Sequence, residues 1–561
     1  MKARYRWMLR FASCRSPGAG TNAAGGARRC GRLGRWTAAT LLAAACAPLP
    51  GCAGLLLDWP AQDVATTSRA AESLTLRESF ESLPGTRIER AGLRILDDNA
   101  AAWAARWQML ADARHTIDIS YFILSQDLFG MAFLGHLLQK AREGVTIRVL
   151  LDAQGMRMSE VSLGSDCLPA LARADNVTVK LYRPLSRRIA EALLTLNPAV
   201  AAASNHDKII VADGTIGLIG GRNIGMKYFL PPDILAGAFY DLDISLESPA
   251  IAAALTAVFE RLYLSDQTRV VQRRDNQDLA RCAAELHYAY AAMDAWLRTG
   301  EPARSAHPGS EAELAWRRAV RHLTHLRGAL ARPVGDRVEG EVRVISSLPR
   351  LASSGDPVTQ SLFRLMRGAQ RAILIENPYV VLTREAVSVF EETGRRGVDM
   401  TILTNSPVSS DNPLSQALFR EQWPRLLAQV PRLRIYAGGT RRNLHSKFAI
   451  FDGRAALVGT YNLDPLSLAV NGELAVAVWS EPFAQRLAQR PRRLLAQGPP
   501  ALYEYRIERA ADGRPRRDRF GRVRVAFGPA DHSDPGEWER LGCRWQLLRF
   551  AAGLPVLPPL F

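Results

Sequence analysis

His206-Asp207-Lys208-Ile209-Ile210-Val211-Ala212-Asp213-Gly214 and His445-Ser446-Lys447-Phe448-Ala449-Ile450-Phe451-Asp452-Gly453 carry one pattern twice. Counted from each histidine, Lys stands at +2, Asp at +7, Gly at +8, Gly at +14 (Gly220, Gly459) and Asn at +17 (Asn223, Asn462). Six identities at six fixed offsets make the chain an internal duplication, and a duplication constrains the fold before any local propensity does. The apolar alternation Ile209-Val211 and Phe448-Ile450 places each His-x-Lys at the start of a strand. Residues two apart on a strand face the same side. His206 and Lys208 therefore project together, as do His445 and Lys447.

The duplication extends upstream. Thr116-Ile117-Asp118-Ile119-Ser120-Tyr121-Phe122 parallels Ala372-Ile373-Leu374-Ile375-Glu376-Asn377. Val145-Thr146-Ile147-Arg148-Val149-Leu150-Leu151-Asp152 parallels Val398-Asp399-Met400-Thr401-Ile402-Leu403-Thr404-Asn405. These short apolar runs, rich in β-branched residues, read as buried strands. Gly130 to Gly144 and Thr383 to Gly397 read as helices ending in glycine. Strand–helix–strand alternation predicts an α/β fold with one α/β/α sandwich in each half. If the halves pack face to face about a pseudo-twofold, a single pocket at their interface holds two His, two Lys and two Asn.

Composition narrows the chemistry. The chain has 561 residues, 72 Lys plus Arg against 55 Asp plus Glu, and a net charge of +17. At 47% hydrophobic and 23% charged it can bury sizeable cores, which excludes wholesale disorder. Seven cysteines are too few for a disulfide scaffold. Only six of the 72 basic residues are lysine, one in twelve. Lysine at both motif positions would arise by chance about once in 144 trials. An ammonium is a compact point charge that fits between non-bridging phosphate oxygens, whereas guanidinium is a planar fork.

Two ammonium groups, the Asn223 and Asn462 amides and two imidazoles suit a phosphodiester passing through a five-coordinate transition state. Cations and amides stabilise the oxygens, one imidazole attacks phosphorus, and the other protonates the leaving oxygen. The scheme calls for no metal and no cofactor. Each imidazole needs an orienting carboxylate. Asp241, in Tyr240-Asp241-Leu242-Asp243-Ile244, and Glu473, in Asn471-Gly472-Glu473-Leu474, are the candidates, each leading a strand-like run after its repeat. Asp213 and Asp452 lie an odd number of residues beyond the lysines. They read as turn-fixing residues, each followed by glycine.

At these residues the chain resembles the phospholipase D superfamily, whose signature is His-x-Lys-x4-Asp twice per chain. Within it, the chain is similar to the bacterial cardiolipin synthase C-type branch. The similarity rests on Gly220-Gly221-Arg222-Asn223-Ile224-Gly225, Gly459-Thr460-Tyr461-Asn462-Leu463-Asp464-Pro465 with Ser467, Asn471-Gly472-Glu473, and the ending Leu554-Pro555. It runs from about residue 85 to the C-terminus. It implies two phospholipase D-like repeats and brings the motif aspartates Asp213 and Asp452 into the set of site residues. The implied reaction is phosphatidyl transfer through phosphohistidine, joining phosphatidylglycerol to a second phospholipid, phosphatidylethanolamine, to give cardiolipin. Hydrolysis to phosphatidic acid and nuclease-type phosphodiester cleavage are the alternatives within the superfamily. Partners are then phospholipids and a membrane surface. Nucleic acid is not expected, because no aromatic-plus-basic platform is evident. A monomer suffices for the site. Leu466 stands where the family often has arginine, and Ser204-Asn205 replace a basic and apolar pair; both departures bear on head-group selection. Near-symmetry leaves the identity of the nucleophile open, with His206 favoured by analogy.

Residues 1–51 carry nine basic residues and no acidic one, so the rest of the chain carries 17 − 9 = +8. A basic leader, an apolar run from Trp36 to Ala47 and Leu49-Pro50-Gly51-Cys52 describe a secretory signal with a lipobox, Cys52 being lipidated. The protein then faces the periplasm as a lipoprotein of the bacterial cell envelope. The alternative is an uncleaved N-terminal anchor in the inner membrane, continuing through Leu55-Leu56-Leu57. Beyond Cys52 lie Cys167, Cys282 and Cys543, and spacing does not say which of them pair. The expected layout is a leader (1–51), a linker (52–84), repeat 1 (85–270), a helical connector (271–338), repeat 2 (339–485) and a C-terminal tail (486–561). His322-Leu323-Thr324-His325 in the connector reads as part of a solvated helix, not a metal site.

Overall fold

A computed structural model describes residues 74–158, 167–195, 201–272, 277–301, 311–349 and 356–532. Ser73–Phe561 forms one compact unit. The lipobox, Cys543 and the proline-rich ending lie outside the described residues.

The strands of the first half are β1 (Glu89–Leu96), β2 (Thr116–Tyr121), β3 (Thr146–Asp152), β4 (Val177–Tyr182), β5 (Ile209–Ala212), β6 (Ile216–Gly220), β7 (Phe239–Tyr240), β8 (Asp243–Glu247) and β9 (Thr268–Val270). Those of the second half are β10 (Val338–Ser346), β11 (Ala372–Glu376), β12 (Asp399–Thr404), β13 (Leu433–Gly438), β14 (Asn443–Leu444), β15 (Phe448–Phe451), β16 (Ala455–Gly459), β17 (Leu474–Trp479), β18 (Leu502–Ile507) and β19 (Val525–Phe527).

Hydrogen-bonded neighbours give the spatial order β9-β4-β3-β2-β5-β6-β8-β1-β10-β17-β16-β15-β11-β12-β13-β18-β19. Apart from β19, the order is a palindrome of equivalents. It turns about the antiparallel β1–β10 pair, whose register centres on Ala91 opposite Gly340. The halves face each other across the pseudo-twofold, where β6 comes against β16 and residues of β5, β6, β15 and β16 share one core. They also join edge to edge into one 17-stranded sheet, because β1 and β10 are each an open edge that the other satisfies. β18, from the expected tail, pairs with β13 and so completes the second half.

In each half β2-β3-β4 and β11-β12-β13 run parallel, connected by crossovers such as Leu128–Arg142 and Arg384–Arg395. Thr383 caps the second of these helices by accepting from the Ala386 amide. Gly144 and Gly397 follow the two helices with φ of +91° and +88°. The helices after β8 and β17, Pro249–Tyr263 and Glu481–Gln497, lie together on one face of the sheet. Leu255, Phe483 and Leu487 there share a core with Ile209, Val211, Val344, Ile450 and Val476. That core spans both halves. At about 1.5–3 kcal/mol for each fully buried aliphatic side chain, it holds the two histidine segments in fixed relation.

The connector is tied to the first half and folded back on itself. Trp296 Nε1 in the helix Gln277–Thr299 donates to the Leu323 carbonyl at 2.9 Å, and Cys282 is disulfide-bonded to Cys167 of the first half. The solvated-helix reading of His322-Leu323-Thr324-His325 needs correction for one residue. His325 sits on a short turn, partly buried, and its Nε2–H donates to the Phe229 carbonyl at 2.9 Å.

Candidate active site

The histidine segments precede β5 and β15, and each is clamped by the opposite half. The His206 amide donates to the Gly472 carbonyl at 3.0 Å, and Gly472 returns a bond to Ser204 at 2.9 Å. Equivalently, β14 pairs with β7, and the His445 amide donates to the Tyr240 carbonyl at 2.8 Å. The residues that follow these anchors are Glu473 and Asp241. The orienting carboxylates thus cross between the halves. His206 Nδ1 lies 3.1 Å from both oxygens of Glu473, and His445 Nδ1 lies 2.6 Å from Asp241 Oδ2.

The repeated glycine at +14 has a steric reason. A Cβ on Gly220 would lie 2.2 Å from Asp243 Oδ1, and one on Gly459 would lie 2.1 Å from the Leu474 carbonyl. Only glycine lets the carboxylate-bearing segment pass this close.

His206, His445, Asn223 and Asn462 line one cavity of about 440 Å³. Lys208 and Lys447 are buried beside it, each Nζ bonding its own histidine's carbonyl at 2.6 Å. Lys447 Nζ also lies 3.1 Å from His445 Nδ1. Asn223 is held by the Ile123 amide (2.9 Å) and by Tyr228 Oη (2.7 Å). Phe122, Ile123, Tyr379 and Asp411 reach the cavity from loops that follow β2, β11 and β12, and Gln154 from the short helix Ala153–Met158 after β3. Carboxyl ends of parallel strands are the usual place for a site in such sheets. Of the departures from the family pattern, Leu466 and Ser204 line the cavity, whereas Asn205 is buried outside its lining.

Asp213 and Asp452 do not belong to this group, which corrects their inclusion among the site residues. They sit in the β5–β6 and β15–β16 turns with φ of +50° and +52°. Asp213 accepts from the amides of Arg114, His115 and Thr116 at 2.7, 2.7 and 2.9 Å. Asp452 does the same for Gln370, Arg371 and Ala372 at 2.9, 2.8 and 3.0 Å. Each ties the turn to the start of the neighbouring strand and acts on the fold.

Burial, then the charges of Lys208 and Lys447, hold His206 well below its ordinary value. His445 is also lowered by burial and Lys447, with Asp241 opposing. Burial lowers Lys208 to about 7 and also lowers Lys447. Glu473 is pushed up to about 7 by burial, against the pull of Lys208 and of hydroxyl bonds from Ser467 (2.6 Å) and Thr460. Burial also favours a raised Asp241, but His445, Lys447 and Arg222 overcome it and hold that carboxyl well below the usual range.

Some contributors were invisible in the motif. Arg490, fully buried in the helix Glu481–Gln497, donates to the carbonyls of Asp241 (2.6 Å) and Tyr240 (3.1 Å) and to Glu376 (2.5 Å). It braces the segment that carries Asp241. Phe239 stacks on His445 at 4.6 Å, and Phe122 meets His206 edge-on at 5.2 Å. A charged residue ending a buried strand, Glu376, was the one available signal.

The family described as cardiolipin synthase, PLD-like domain, matches residues 107–263 and 362–495, just over half of the chain. Cardiolipin synthase C of Escherichia coli K12 is 26% identical over 449 residues, covering 75% of this chain and 87% of that protein. A cardiolipin synthase of Geobacillus is 25% identical over 412 residues, covering 73% and 67%. Phosphatidylserine synthase of Haemophilus influenzae has the same fold, with a TM-score of 0.56 at 14% identity over 87% of this chain and 99% of that one. The duplicated motif, the twofold sheet and these matches agree, and the chain belongs to the cardiolipin synthase, phospholipase D-like family.

Proposed function

We propose that the protein is a phosphatidyltransferase that makes cardiolipin from phosphatidylglycerol and a second phospholipid, phosphatidylethanolamine, through a phosphohistidine. The observation that carries this reading is the meeting of two crossed His–carboxylate pairs, two buried lysines and two asparagines around one cavity. Lys208, Lys447 and the asparagine amides stabilise the non-bridging oxygens of a phosphodiester.

His206 is the nucleophile in this reading. Burial and two ammonium neighbours keep it unprotonated, so its lone pair is free to attack. His445 is lowered less, because the ionised Asp241 opposes burial and Lys447 and favours its imidazolium relative to that of His206. The P–N bond to His206 forms as the P–O bond to the head group breaks, and His445 gives its proton to the leaving oxygen. His445 then takes the proton of a phosphatidylglycerol hydroxyl. That oxygen attacks phosphorus and the P–N bond breaks.

A membrane location follows from the substrates. Lipidation at Cys52 and a periplasmic setting are supported by the basic, apolar and lipobox segments, and the Cys167–Cys282 disulfide fits an oxidising compartment. Among the described residues no helix is long and apolar enough to cross a membrane.

The test supplies labelled phosphatidylethanolamine and phosphatidylglycerol to the purified protein in the presence of chelator. Cardiolipin with ethanolamine release is expected. Phosphatidic acid as the main product would replace transfer by hydrolysis, and no lipid turnover would overturn both.

A further inference from the structure

The chemistry above uses neither of the two carboxylates in the cavity lining, Asp464 and Asp411, both from the second half. Asp464 is buried and caps the helix Pro465–Ala469 by accepting from the Ser467 amide at 2.9 Å, which leaves Asp411 without a task. Asp411, on the loop after β12, lines the cavity with an exposed side chain. Its Oδ1 accepts from Tyr379 Oη at 2.7 Å and from Asn443 Nδ2 at 2.8 Å. Both donors are neutral, and among the described residues no lysine or arginine forms an ion pair with it. Its charge is felt at His445 and Lys447. A fixed negative charge beside a site for a phosphodiester anion opposes binding of that anion. The arrangement becomes favourable when the ligand carries a positive charge a few bonds from phosphorus.

Three further features agree. The wall facing this group across the pseudo-twofold, after β3, offers the neutral Gln154 and Met158, so the negative charge belongs to one side only. Tyr379 and Tyr228 stand edge-on to His445 at 6.4 and 5.6 Å, giving that side aromatic rings beside the carboxylate. Asn462 lines the same cavity at 6% exposure, and its Oδ1 has no hydrogen-bond partner. A buried acceptor without a partner is costly unless a ligand donates to it. An ionised phosphodiester has no proton to donate, whereas an ammonium head group has three.

We propose that Asp411, positioned by Tyr379 and Asn443 and assisted by Asn462, forms a subsite for the ammonium of a zwitterionic phospholipid head group. It selects that lipid as the phosphatidyl donor. The inference rests on the phosphatidyl-transfer reading and adds a direction to it. The departing head group lies on the His445 side, and attack in line with it comes from His206.

The test uses the full chain in mixed micelles containing phosphatidylglycerol alone, phosphatidylglycerol with phosphatidylethanolamine, or phosphatidylglycerol with N-acetyl-phosphatidylethanolamine, which lacks the positive charge. Wild type should use phosphatidylethanolamine at least about tenfold better than its N-acetyl form, the scale of a charged hydrogen bond. Asp411→Asn should lower the ratio of phosphatidylethanolamine to phosphatidylglycerol turnover at least about tenfold, and should remove the discrimination against the N-acetyl lipid. Tyr379→Phe should shift both readouts in the same direction by a smaller factor. Thermal unfolding separates these shifts from loss of fold. Equal losses with every donor in Asp411→Asn, or a wild type indifferent to acetylation, would overturn the subsite and leave phosphatidyl transfer standing. A wild type that turns over none of the lipids would overturn both.

Discussion

The two halves share a sheet topology and six motif identities, yet their His–carboxylate pairs differ. Glu473 is shared between His206 and two hydroxyls, those of Ser467 and Thr460, and its carboxyl is raised to about 7. Asp241 takes a single close contact from His445 at 2.6 Å and a bond from the Leu242 amide at 2.7 Å, and stays ionised. A duplicated motif thus yields two different imidazoles. The difference comes from side chains outside the motif: Thr460 stands where the first half has Gly221, and Ser467 belongs to the helix Pro465–Ala469.

The largest expected effect is at the histidines. His206→Ala and His445→Ala should each lower turnover by at least about 10³-fold. Only His445→Ala should still trap labelled phosphate on the protein. Phospho-enzyme in His206→Ala alone would reverse the assignment.

Next come the carboxylates. Asp241→Asn should cost kcat about 10²-fold or more, because an ionised partner of the imidazolium is lost. Glu473→Gln should cost only about tenfold, since that carboxyl is close to half-protonated near neutrality. Equal losses would mean that the two pairs are functionally equivalent.

The lysines offer a sharper pH test. Lys208 has its value lowered to about 7 by burial, so its charge is present below that pH and lost as pH rises through it. KM for the lipid should therefore rise above about pH 7. Lys208→Arg keeps its charge and should abolish that alkaline rise, whatever it does to kcat. A rise that persists in Lys208→Arg would assign the titration elsewhere.

The smallest effect on chemistry is expected at the motif aspartates. Asp213→Asn and Asp452→Asn should each lower stability by about 1–3 kcal/mol through weakened bonds to three amides. Turnover per folded molecule should stay near wild type. A loss of kcat without a loss of stability would return them to the site.

Much of the fold was readable because its signals are local. The strands Thr116–Tyr121 and Ala372–Glu376 and the helices ending before Gly144 and Gly397 carry their own periodicity and stop signals. The turn role of Asp213 and Asp452 followed from odd spacing along a strand. What was not readable involves partners far apart in sequence. Nothing local pairs Glu89–Leu96 with Val338–Ser346, places Arg490 behind Asp241, or turns His325 onto Phe229. The joining of the halves through β1 and β10 was hidden for the same reason, because edge pairing depends on which strands are left open once each half has formed.

By itself the sequence determined the duplication, the strand alternation and the residue types of the candidate site: two His, two Lys, two Asn and two carboxylates. Offsets of two, fourteen and seventeen residues are set by covalent geometry and strand period, so they can be read directly. Only the tertiary structure decided that Glu473 serves His206 and Asp241 serves His445, and that Thr460, Ser467 and Asp411 make the two sides unequal. Those choices depend on backbone bonds between segments more than two hundred residues apart, His206 to Gly472 and His445 to Tyr240, and on desolvation. Both are properties of the assembled fold and of no segment within it.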